Sequence, residues 1–117
     1  MLSYNQVAEA IESEGRKIGK LAEEIATLAG DAAEAESDYK IAIAKARMKQ
    51  RDLFAVSNTK FTVGDVEDRA TLNTSDALRT HLIAAGALTA ARDAMRASQS
   101  RMDGLRTLAA GYRNAGG

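Results

Sequence analysis

The chain has no cysteine, no proline and no tryptophan, and its 117 residues include one histidine, three tyrosines and two phenylalanines. Without cysteine there is no disulfide framework and no thiolate metal site, and the lone His81 excludes zinc sites of the usual Cys/His kind. The absence of proline removes the commonest helix breaker. The shortage of aromatics leaves few large side chains to fill a compact core at native density. No apolar run approaches the roughly 20 residues a membrane helix needs. The opening residues, MLSYNQVAEAIESEG, carry an acid at Glu9 and no basic stretch, so they do not read as a signal peptide. These absences lead us to expect a soluble protein of a reducing cytoplasm, with no membrane, metal or cofactor.

What is present is alanine, together with Glu, Lys, Arg, Gln and Leu, all good helix formers. Val, Ile and Thr never form an alternating run, which argues against a sheet. The expected fold class is therefore all-α. From Tyr4 a heptad register runs through Val7, Ile11, Glu14, Ile18, Leu21, Ile25, Leu28, Ala32, Ala35, Tyr39, Ala42, Ala46, Lys49 and Leu53. Its large residues come first and its alanines last, so the second half buries less area. Gly15, Gly19 and Gly30 mark points of close approach or of bending. A second seam reads Ala77, His81, Ala84, Leu88, Ala91, Met95, Ser98, Met102, Leu105, Ala109 and Tyr112, broadened by Leu78, Leu82 and Leu108.

Between the two seams, Ser57-Asn58-Thr59 is a turn cluster. Thr62 with Asp65 resembles a capping box opening a short helix through Leu72, and Asn73-Thr74-Ser75-Asp76 offers further caps. The expected organisation is one helical domain over 1–117. A long helix (3–52) leads to a corner with a short helix (53–75), a second long helix (76–112) and a tail (113–117). The long helices are expected to fold back as a hairpin. Two helices make a thin core, so burial is expected to be completed by other copies of the chain, in a bundle or a ring. Leu21, Ile25, Leu28, Leu88, Met95, Met102 and Leu105 are the candidate self-association residues.

The formal net charge is zero, but its distribution is uneven. Residues 1–38 hold nine acids against Arg16, Lys17 and Lys20, whereas 39–62 hold Lys40, Lys45, Arg47, Lys49, Arg51 and Lys60 against Asp52 alone. An enzyme is not expected. His81 lies on an apolar seam and reads as structural, no glycine-rich phosphate loop precedes a Lys-Ser/Thr, and no Glu-x-x-His exists for a di-metal bundle. The carboxylates read as a solvated face with partners such as Glu12 and Arg16.

The basic segment is the informative feature. Its six cations, with Phe54 and Phe61 nearby, are the ingredients of a single-stranded nucleic-acid site, in which cations track phosphates and rings stack on bases. The plain alternative is a solvated helix end whose cations complement the helix dipole, with the two phenylalanines plugging the corner. The pattern suits single-stranded DNA and RNA alike. Repetition in an oligomer would join modest clusters into a larger basic surface.

Asp38-Tyr39-Lys40 through Lys45-Ala46-Arg47, then Thr62-Val63-Gly64-Asp65-Val66-Glu67, resembles the UvsY-type recombination mediators of tailed phages. Asp93-Ala94-Met95-Arg96-Ala97, with Leu105-Arg106 beyond it, adds to the likeness, which spans roughly residues 30–110. The resemblance implies a ring-forming mediator that binds single-stranded DNA and helps a RecA-like recombinase displace single-strand-binding protein in the host cytoplasm. It implies DNA contacts at Lys45 and Arg47, and assembly through the Leu88–Leu108 seam. The acidic, heptad-regular first third is longer and more regular than the family leads one to expect. The competing expectation is a phage-type coiled-coil assembly or adaptor protein that does not bind DNA.

Overall fold

A computed structural model describes residues 1–57, 60 and 62–116, and among them every element is helical. Helix α1 spans Tyr4–Ser57, α2 Val63–Asn73 and α3 Ser75–Gly116, in agreement with the all-α expectation. The first helix runs past the expected Asp52 to Ser57, and the third through Gly116. The chain divides into two compact units, Met1–Leu28 with Leu88–Gly117, and Ala29–Ala87.

In the first unit, opening turns of α1 lie antiparallel to closing turns of α3. The helix starts on a reciprocal cap: Ser3 N–H donates to Gln6 Oε1 at 2.8 Å, and Gln6 N–H donates to Ser3 Oγ at 3.2 Å. The heptad seam supplies the apolar contact. Val7, Ala91 and Met102 are buried with Ser98, and Ile11, Ile18, Leu21, Ile25, Leu28, Leu88, Met95 and Leu105 are half-buried. The Tyr112 hydroxyl donates to the Leu2 carbonyl, and the Tyr4 and Tyr112 rings meet edge to face at 6.3 Å. Further along, Arg101 Nε donates to Glu14 Oε1 at 2.8 Å, and Arg101 Nη2 to the buried Ser98 hydroxyl at 3.1 Å. This explains a charged residue on an apolar seam: Glu14 is met by a cation from the facing helix. The Arg101 hydrogen bond holds the Glu14 carboxyl below its ordinary value, against the opposing effect of burial.

The second unit packs the alanine-lined part of α1 against α2 and the start of α3. Ile43, Gln50, Val66, Ala70 and Thr74 are buried, with Ala32, Ala35, Ala42, Ala46, Ala77 and Ala84 half-buried around them. Tyr39 and His81 stack with ring centroids 5.7 Å apart and planes 7° from parallel. His81 is half-buried on the seam, where its position in the periodicity puts it. The capping box forms as expected: Asp65 N–H donates to Thr62 Oγ1 at 3.1 Å, and Thr62 N–H to Asp65 Oδ2 at 3.0 Å. Thr74 alone separates α2 from α3. Its hydroxyl donates to the Ala70 carbonyl at 2.7 Å, while its own carbonyl accepts from Leu78 N–H at 3.0 Å.

The α1 seam departs from expectation at both ends: Tyr4 is 52% exposed at the start, and the register shifts at the end. It holds from Val7 to Ala46, but Lys49 and Leu53 are exposed, and buried Gln50 and half-buried Phe54 take their positions. The cause is geometric. A helix with 3.6 residues per turn drifts about 20° per heptad against a strict 3.5 repeat, so a seam carried through many heptads rotates out of contact. Of the three α1 glycines, only Gly15 has a neighbour where a Cβ would stand, Met102 Cε at 3.7 Å, which is ordinary contact. Close approach is therefore not what these glycines provide.

Candidate nucleic-acid interface

Five of the six candidate cations lie on α1, and their surroundings separate them. Lys40 Nζ sits 2.9 Å from Glu36 Oε1 one turn earlier on the same helix. The hydrogen bond from Lys40 also holds the Glu36 carboxyl below its ordinary value. Arg47 is half-buried and turned toward α2. Its Nη2 donates to Glu67 Oε2 at 2.9 Å, while Nε lies 2.8 Å from Glu67 Oε1. That second contact lacks hydrogen-bond alignment, which leaves the buried Nε–H unsatisfied. Both cations are thus neutralised within the chain.

Lys45, Lys49, Arg51 and Lys60 are exposed, and no acid among the described residues pairs with them. Lys45 and Lys49 are one turn apart on one face, where they line a shallow groove with Met48, Asp52, Leu53 and Val56. The apolar members of this groove are open to water, Met48 at 63%, Leu53 at 52% and Val56 at 86% of full exposure. Arg51 projects from a different side of the helix.

The two phenylalanines do not form a matched pair. Phe54 is half-buried, and the Arg69 guanidinium lies over its ring at 5.0 Å, so that face is already occupied. Phe61 falls outside the described residues, as do Asn58 and Thr59 of the expected turn. The seven candidate self-association residues, Leu21, Ile25, Leu28, Leu88, Met95, Met102 and Leu105, all lie on the seam of the first unit. Met102 is buried there and the other six are half-buried.

Sequence reasoning missed the partners that remove Arg47, Lys40 and Phe54 from the open set. Glu36 was findable, being an acid four residues before a lysine on a helix. Glu67 and Arg69 were not, because their contacts depend on how α2 folds against α1. Among the described residues no cluster of His, Asp and Glu could hold a metal ion, and no helix is long and apolar enough to cross a membrane. No family model matches the chain, and neither does any curated protein or solved structure.

Proposed function

We propose that the chain is a non-enzymatic, homo-oligomeric recombination mediator that binds single-stranded DNA and helps load a RecA-like recombinase in the cytoplasm of a phage-infected cell. The observation that carries the DNA-binding part is the set of four exposed cations, Lys45, Lys49, Arg51 and Lys60, that pair with no acid among the described residues. The recombinase, the displaced single-strand-binding protein and a ring-shaped assembly come from the resemblance to UvsY-type mediators. Of the two positions that the resemblance implies for DNA, Lys45 is open to a phosphate, and Arg47 is engaged by Glu67. Four cations per copy give modest affinity, which repetition over several copies raises. Binding through phosphates favours no base sequence.

Fluorescence anisotropy of a labelled single strand tests this. Each phosphate contact adds about 0.7 to the log–log salt slope, so four contacts predict a slope near ~3 and roughly 50-fold weaker binding at 200 than at 50 mM salt. Changing Lys45, Lys49 and Arg51 together to Glu abolishes binding. A strand that does not bind at low salt, or binds the triple variant equally well, refutes the proposal.

The exposed Met48, Leu53 and Val56 favour a second reading, a coiled-coil assembly or adaptor protein that takes an apolar partner surface on the same face. It predicts self-association or partner capture with no oligonucleotide affinity.

A further inference from the structure

We propose that one face of α1 within the second unit is a two-fold docking surface, which a second copy of this chain occupies in antiparallel orientation. Glu34, Asp38, Ile41, Lys45 and Lys49 succeed one another at spacings of three or four and lie within an arc of about 80° on the helix. All five are exposed, Ile41 at 51%, and among the described residues none of the four charged ones has an ion-pair partner. The face is bipolar, with acids before Ile41 and cations after it.

That order is unfavourable in a single copy. Glu34 with Asp38, and Lys45 with Lys49, are like-charged neighbours one turn apart, an arrangement that destabilises a helix. An antiparallel approach about a two-fold axis beside Ile41 reverses the situation. It brings Asp38 of each copy opposite Lys45 of the other and Glu34 opposite Lys49, with the two Ile41 side chains near the axis. Each of these four charges then meets its opposite. A parallel approach sets like charge against like and is rejected. Asp31 and Asp52 meet at the ends of the contact, and their repulsion limits it to this stretch. Standard interfaces bury roughly 20–30 residues a side, so a face this small makes a weak dimer held mainly by charge.

The dimer does not depend on DNA binding, but the two share Lys45 and Lys49. A phosphate backbone on those lysines would open the contact, so the dimer serves as a resting form that polyanion displaces.

The test is sedimentation velocity of the full chain at low salt without nucleic acid, so that its outcome is separate from DNA binding. Wild type associates reversibly. Reversing the acids (Glu34→Lys with Asp38→Lys) or the cations (Lys45→Glu with Lys49→Glu) weakens self-association at least about tenfold. Combining all four changes restores it. Mixing the two double variants gives a heterodimer, which also shows that each still folds. A wild type that stays monomeric, double variants that associate as wild type does, or a mixture that does not pair would each overturn the proposal.

Discussion

Replacing Glu67 by Gln keeps the side chain's shape and removes its charge, and the contacts around it set the cost. Arg47 and Glu67 are each 40% exposed, with one aligned hydrogen bond and one unaligned close contact between them. Fully exposed pairs contribute about 0–1 kcal/mol, and breaking a fully buried pair costs about 3–5 kcal/mol. With this exposure and one good hydrogen bond, solvent screening keeps the cost near the lower range, about 1 kcal/mol. At a urea dependence of about 2 kcal/mol per molar, the unfolding midpoint falls by roughly 0.5 M. Urea is the required denaturant, because guanidinium would screen the pair under study. The same change releases Arg47. In the anisotropy assay the variant should bind a single strand at least as well as wild type, with the salt slope larger by about 0.7. An unchanged urea midpoint would refute the energetic part. Binding that falls in the Glu67→Gln variant would refute the conclusion that Glu67 withholds Arg47 from phosphate.

Other expected outcomes rest on single features. Thr62→Ala removes one half of the α2 capping box and should cost about 1 kcal/mol, read as a lower urea midpoint. Gly30→Ala should stabilise the chain by about 0.5–1 kcal/mol, read as a higher urea midpoint, since nothing lies within 4 Å of the added methyl and alanine is the better helix former. Glu14 should contribute to an acid limb of stability. Its folded-state carboxyl is held below the ordinary 4.5, chiefly by the Arg101 hydrogen bond. Its contribution is therefore present above that value and is lost as pH falls through the folded one. Glu14→Gln should narrow the gap between urea midpoints measured near about pH 6 and about pH 3, and an unchanged gap would contradict the assignment.

Much of the fold is legible because it is written in local pattern. The α3 seam from Ala77 to Tyr112 is half-buried or buried at each heptad position, although Leu82 and Leu108, expected to broaden it, are exposed at 58% and 47%; the α1 seam holds from Val7 to Ala46. The cap at Thr62–Asp65 is likewise spelled out within four residues. The heptad count fails at Lys49 and Leu53, because a pattern of period 3.5 carries no record of the drift that a real helix accumulates. The candidate site is legible only as composition. Six basic residues are visible in the sequence, but Glu67 and Arg69 reach Arg47 and Phe54 across a corner whose geometry no periodicity encodes. The pairing of Lys40 with Glu36 is local and legible, whereas the loss of Arg47 to Glu67 is a tertiary fact.

The most direct test of the proposed function is the mass of the assembled particle with and without a single-stranded oligonucleotide, by native mass spectrometry at low salt. Alone, the protein should appear as multiples of the 12.4 kDa chain. With oligonucleotide, species heavier by whole numbers of strands should form, and should disappear at high salt and in the Lys45, Lys49 and Arg51 triple variant. Assemblies of protein that never take up a strand at low salt would contradict DNA binding and leave the assembly or adaptor reading in its place.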